Sequence, residues 1–265
     1  TPFNCTAKDE WLKAEDYEMT FNYQTTDNNR SVRSHYLFEQ KDKISFQDFK
    51  DIKYDVKYHT PLPAPAIDGL EVMFHLDEMK YPKIAESIRL LKAWDREAKI
   101  DRKAAVASLT ISSIIKEMME AGLFPGENTV SEEFVVKHIT KAQKRLEKHF
   151  GKVDVTLGEL QRIHRGDKDY PVGGMPDVLA AMNFEDGKKG RLKAFLGDSF
   201  FQFVSYNKDG SMKLETINAF GASAREDSPH FDDQLDMYLN QKTKEVSLDK
   251  REVEKTAKRT YHPGE

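Results

Sequence analysis

The pattern of apolar and polar positions divides the chain into three regimes. Residues 1–40 are polar and aromatic, and Trp11, Tyr17, Phe21 and Tyr23 fall at no regular spacing. That pattern predicts an extended, loop-rich segment over residues 1–44, lying on a larger body. From Ser45 the spacing turns helical, with Phe46, Phe49, Ile52 and Val56 on one face and Ser45 placed to cap it. The prolines of Thr60-Pro61-Leu62-Pro63-Ala64-Pro65 end that run, because each removes an amide donor and restricts the residue before it. Ile84, Ile88, Leu91 and Trp94 then form one apolar stripe, and Ala104 to Met119 reads as a second helix, broken by Gly122, Pro125 and Gly126. Thr129 with Glu132 offers a capping box for a third helix reaching about Phe150. Residues 45–150 are therefore expected to be a helical region.

Near Gly151 the period shortens, and residues 151–265 read as β-rich. Phe200 to Tyr206 and Met212 to Ala219 are paired strands, and Asn207-Lys208-Asp209-Gly210 is the turn between them. Phe200, Phe201, Phe203 and Val204 are apolar on both alternating sets, which predicts a strand covered on both faces. A charged helix from about Asp249 to Arg259 follows.

Composition narrows the function classes. Hydrophobic residues make up 38% of 265 positions, enough for a sizeable core. The 41 basic and 45 acidic residues nearly cancel, so there is no general attraction to nucleic acid or anionic lipid. The basic run from Lys141 to Lys148 alternates with apolar residues, as on a solvated helix face. No apolar run approaches the roughly 20 residues that a membrane span needs. Cys5 is the only cysteine and has no recognisable His/Asn partner motif, so it reads as an inert thiol.

Several residues invite a chemical reading. Thr1 belongs to a residue type that can act as an N-terminal nucleophile, but Pro2 and the internal character of its surroundings favour an ordinary position. His230, Asp232 and Asp233 have metal-ligand chemistry, but they lack a helical i, i+4 pair or a distant partner, and a loop capped by Asp explains them better. We therefore expect no metal and no cofactor. Arg165-Gly166-Asp167 is too short and frequent to imply adhesion, and Gly173-Gly174 lacks the Gly-Lys-Ser/Thr of a phosphate loop. That glycine pair fits a tight backbone path next to Pro171. Arg30 and nearby Arg33 are candidate arginines, with a plain surface position or a salt bridge as the alternative for either.

Taken in order, five pieces carry a family resemblance. They are Asp27-Asn28-Asn29-Arg30 with Leu37-Phe38-Glu39-Gln40-Lys41, His164-Arg165-Gly166-Asp167, Tyr170-Pro171-Val172-Gly173-Gly174, Gly197-Asp198-Ser199-Phe200, and Ser228-Pro229-His230-Phe231-Asp232-Asp233-Gln234. Together they resemble the C-terminal part of the β subunit of the penicillin acylase family, amidohydrolases with an N-terminal nucleophile. Ala222-Ser223 and Ser228-Pro229-His230 are most similar to the aculeacin and acyl-homoserine-lactone acylase branch. The resemblance implies an α+β fold, part of an αββα sandwich with a helical elaboration, with residues 1–44 packing on the acylase core. It also implies that the nucleophilic serine and the oxyanion asparagine lie before Thr1, since Thr1-Pro2-Phe3 resembles the end of an Asn-x-(Ser/Thr)-Pro segment. Arg30 would then be a supporting catalytic residue that stabilises developing negative charge. The implied partners are the remaining N-terminal part of the β subunit, the α subunit of the same precursor and a small N-acyl amide, in a periplasmic or secreted bacterial enzyme. By this reading the segment alone is inert. A non-catalytic scaffold that keeps the fold and a stand-alone metallohydrolase using His230 and Asp232 are the alternatives.

Overall fold

A computed structural model describes residue 18 and residues 27–62, 70–121 and 130–262. Thr1, Cys5 and the Gly122 to Thr129 breaker region lie outside these. The chain divides into two compact units, Thr1–Gly197 and Asp198–Glu265, and the division falls inside the β-rich stretch 151–265.

The first unit begins, among the described residues, with a helix where extended chain was expected. Helix α1 (Asn29–Glu39) is nucleated by a reciprocal cap: Ser31 N donates to Asn28 Oδ1 at 3.1 Å, and Asn28 N donates to Ser31 Oγ at 3.0 Å. Two amides that a helix start leaves orphaned are satisfied this way. Helix α2 (Phe46–Lys53) uses the same device with Ser45 and Asp48, as Ser45 predicted. Two 3₁₀ turns, Leu70–Phe74 and Pro82–Ile84, lead into α3 (Ala85–Ala93), and the stripe Ile84, Ile88, Leu91 and Trp94 is buried throughout.

Helices α4 (Ala105–Glu120) and α5 (Glu132–Phe150) pack against each other and fill the centre of the core. Every residue of α4 from Ala105 to Ile111 is buried. In α5, Val135, His138, Ile139, Ala142 and Leu146 form one stripe, with Lys and Glu on the other side. Its cap is Ser131, whose Oγ accepts from Phe134 N at 3.2 Å, rather than the expected Thr129. Gly151 ends the helix at φ +70°.

A short helix α6 (Leu157–Leu160) feeds β1 (Gln161–Arg165), which is followed by β2 (Lys168–Pro171), β3 (Met182–Asp186) and β4 (Leu192–Gly197). The sheet order is β2-β1-β4-β3, with only β1 and β4 parallel. Gly166-Asp167 is the two-residue turn between β1 and β2, so Arg165-Gly166-Asp167 is a hairpin tip. Buried Gln161 ties this sheet to the helices: its amide oxygen accepts from Ser108 Oγ at 2.9 Å, and its nitrogen donates to Val172 O at 3.0 Å and Gly174 O at 3.3 Å.

In the second unit, β5 (Phe200–Tyr206), β6 (Met212–Asn218) and β7 (Lys244–Glu245) form an antiparallel sheet, with α7 (Leu235–Leu239) and α8 (Lys250–Thr256). The strand pair and its Asn207–Gly210 turn fall where the pattern placed them. One expectation fails: β5 is not covered on both faces. Phe203 and the β6 residue Ile217 are buried, but on the alternate face Phe200 is 56% exposed, Tyr206 78% and Met212, opposite Tyr206, 42%. The Ser228–Gln234 motif folds back on β6. Ser223 N donates to His230 O at 3.0 Å, and Asn218 N donates to the buried Gln234 Oε1 at 3.0 Å. A Cβ on Gly221 would come within 2.3 Å of His230 O, so this return path requires glycine. Helices and two sheets together make the chain α+β.

Candidate functional site

Arg30 sits in the first turn of α1, and three segments meet beside it. The first is the start of α1 itself. The second is Lys57–His59, and the third is the loop that runs from Gly173 to Asp177.

Asn29 rivets them together. Its backbone N–H donates to Asp177 Oδ2 at 2.9 Å. Its Nδ2 donates to Asp177 O at 2.9 Å and Lys57 O at 3.3 Å, and its Oδ1 accepts from His59 N at 2.8 Å. Asn29 is fully buried, and the two amide protons and the oxygen all have partners. From sequence alone Asn29 has no role of its own beyond its place in the Asp27-Asn28-Asn29-Arg30 piece.

The Asp177 loop is held from behind. Gly174 adopts φ +85°, and a Cβ there would lie 2.7 Å from Ala180 O. A Cβ on Gly173 would lie 2.7 Å from Ala98 O. The glycine pair therefore serves close backbone packing, as its sequence suggested. Buried Tyr58 donates its hydroxyl to Pro176 O. Asp177 itself stands in the left-handed region at φ +65°, which Asp tolerates better than most residues.

The carboxylate of Asp177 then holds Arg30, with Arg30 Nε donating to Asp177 Oδ1 at 3.1 Å. Burial pushes the Asp177 carboxyl above its ordinary range, and the Asn29 N–H and the Arg30 charge offset part of that shift. Burial, and secondarily the Asp177 charge, also push the Tyr58 phenol well above 10.0, so it stays a donor. Only one edge of the Arg30 guanidinium is used. Among the described residues its two Nη groups have no acceptor, and 41% of the side chain is exposed.

Arg33, the competing candidate, is arranged differently. Its Nε and Nη2 make a bidentate pair with Asp55 Oδ1 and Oδ2 at 3.0 and 2.9 Å, and both side chains are less than a fifth exposed. Asp55 also accepts from Lys57 N, and Ala180 N donates to Asp55 O. Arg33 is a structural clamp, and Arg30 is the arginine with donor capacity left over.

The other candidates do not gather here. His230 pairs with Asp233, Nδ1 to Oδ2 at 2.8 Å, within the second unit. Among the described residues, no three His, Cys, Asp or Glu side chains are grouped to hold a metal ion. The stand-alone metallohydrolase thus has no ligand set there. Among the same residues, no helix is long and apolar enough to cross a membrane.

The sequence pattern of the penicillin amidase family matches residues 3–255, nearly the whole chain. The chain belongs to the penicillin amidase family. No curated protein matches it. Among solved structures it is similar to a thermostable penicillin G acylase from Alcaligenes faecalis, at 14% identity and a TM-score of 0.44, over 95% of this chain and 55% of that one. The chain thus spans about half the length of that structure. In this member of the family the described residues place Arg30, 41% exposed, beside Asn29, whose side-chain donors and acceptor are all paired.

Proposed function

We propose that this chain is the C-terminal part of the β subunit of a bacterial penicillin acylase-like amidohydrolase, and that Arg30 supports its catalysis. The nucleophile is an N-terminal serine on polypeptide outside this chain. Its α-amine, ordinarily titrating near pH 8, takes the hydroxyl proton directly or through a water. The serine oxygen attacks the amide carbonyl of an N-acyl substrate, the amine leaves with a proton, and water then releases the acid from the acyl-enzyme. Arg30 donates from its unengaged Nη edge toward the negative charge that develops on the carbonyl oxygen, or toward the group that holds that oxygen. By its resemblance to the homoserine-lactone and aculeacin acylases, the substrate is an aliphatic N-acyl amide and the enzyme works in the periplasm or outside the cell.

The observation that carries this reading is the contrast, among the described residues, between the Arg30 side chain, paired through Nε alone, and Arg33, held bidentately by Asp55. The open face of the β5–β6 sheet, with Phe200, Tyr206 and Met212 exposed, supports a chain completed by further polypeptide of the same precursor. The test is Arg30→Ala in the intact enzyme, with a chromogenic N-acyl amide as substrate. Loss of one charge-stabilising donor should lower kcat by about 10²-fold. An unchanged kcat would return Arg30 to the surface and favour the non-catalytic scaffold. Robust turnover by residues 1–265 alone would refute the placement of the nucleophile.

A further inference from the structure

We propose that Asp177 is a positioning residue that fixes the Arg30 guanidinium in its working orientation, an inference that rests on the catalytic reading of Arg30. An arginine on the first turn of a helix has four side-chain torsions and, when 41% exposed, samples many rotamers unless something holds it. Asp177 Oδ1 takes Nε and so restricts the orientation of the guanidinium, while among the described residues both Nη groups have no acceptor. A bidentate pair such as Arg33–Asp55 would have consumed the fork.

The geometry shows why the carboxylate can act as a fixed point. Its second oxygen takes the Asn29 N–H, and its own carbonyl takes the Asn29 amide. Its φ of +65° leaves few alternative backbone states. The residue before it is held by Tyr58, and Gly173 and Gly174 ahead of it have no room for a Cβ. The charged or titratable groups facing it are Arg30 from α1 and the un-ionised Tyr58 from the Lys57–His59 segment. Arg30 is thus its one cationic partner among the described residues. Asp177 touches neither the scissile amide nor the serine in this scheme, and its influence passes through Arg30.

The test is a double-mutant cycle in the intact enzyme on a chromogenic N-acyl amide: Arg30→Ala, Asp177→Asn and the pair. Asp177→Asn keeps an oxygen for the Asn29 N–H and removes the charge that holds Arg30. It should lower kcat by about tenfold and leave KM within about twofold. The double variant should be no slower than Arg30→Ala, because the two residues act as one unit. Asp177→Glu, which keeps the charge and displaces it by one methylene, should be slowed and serves for the same cycle if Asp177→Asn does not fold. Multiplicative losses in the double variant, or a fall in folded protein that accounts for the whole loss of rate, would make Asp177 a purely structural residue and overturn the proposal. A normal kcat for the Asp177 variants beside a slow Arg30→Ala would also overturn it, while leaving the role of Arg30 intact. A normal kcat for Arg30→Ala would instead remove the reading on which it rests.

Discussion

Replacing Asn29 by alanine tests whether the three segments around Arg30 are held by one side chain. The change removes the Nδ2 donors to Asp177 O and Lys57 O and the Oδ1 acceptor for His59 N. Each such bond contributes about 1 kcal/mol net, and the three groups left behind are buried or partly buried, so the loss is about 3 kcal/mol. The backbone N–H of residue 29 still reaches Asp177 Oδ2, so α1 itself should survive. A loss of this size is a large share of a typical folding free energy of 5–15 kcal/mol. Urea unfolding read at constant m-value measures it directly. Asn29→Leu provides the control for volume, and it should be at least as unstable, since it fills the space but leaves every partner unpaired. Asn29→Asp should be worse than either, because it turns a second carboxylate oxygen toward two carbonyls beside Asp177. A loss under about 1 kcal/mol for Asn29→Ala would mean that water or a shifted neighbour satisfies the three groups, and the support of Arg30 would have to come from elsewhere.

Two further outcomes concern a buried histidine and the loop behind Asp177. His138 is fully buried, with Nδ1 against Ser113 Oγ at 2.8 Å and Nε2 3.4 Å from Glu117, which Lys137 and Lys141 also face. Burial depresses its pKa below 6.5 despite Glu117, so the unfolded chain binds the extra proton first as pH falls. Stability should therefore drop as pH falls below about 6.5 toward the folded pKa, and a His138→Gln variant followed by thermal melts between pH 8 and 5 should lose that part of the slope. Gly174→Ala should destabilise by about 2 kcal/mol or more and reduce turnover with it. The new Cβ is strained at φ +85° and lies 2.7 Å from Ala180 O, and chemical denaturation beside the acyl-amide assay reads both effects.

The parts of this fold legible in the sequence are those specified by local chemistry. Ser45 with Asp48 caps α2, and Gly210, at φ +84°, closes the β5–β6 turn where Asn207-Lys208-Asp209-Gly210 required it. The stripe from Ile84 to Trp94 is buried as its spacing implies. Helix α1 was hidden because its partners are distant. Asn28-x-x-Ser31 is a capping signature, but Tyr36 and Phe38 are about 40% exposed, and the helix buries Asn29 and Ser31 instead of an apolar stripe. Its anchoring comes from Asp177, 148 positions away. The four-stranded sheet was hidden for a related reason: its parallel β1–β4 pair spans only Gln161↔Leu192 and Arg162↔Lys193, too short to leave a period. The two-sided burial expected of β5 failed because apolar residues on both faces report only that both can be covered, and Phe200 and Tyr206 stand open.

The same distinction separates the two arginines. In sequence Arg30 and Arg33 are equivalent cations one helical turn apart, and neither periodicity nor charge ranks them. What ranks them is the acceptor each one meets. Asp55 lies just beyond α2 and accepts Nε and Nη2 of Arg33, so the fork is spent on joining α1 to the segment before Tyr58. Asp177 takes Arg30 Nε on Oδ1 and the Asn29 amide on Oδ2. The left-handed backbone at Asp177 and the buried Asn29 place the carboxylate beside the Nε edge of Arg30. Among the described residues the Nη groups of Arg30 keep no acceptor, and unspent donors of this kind are the physical requirement for an arginine that must answer charge appearing only during a reaction.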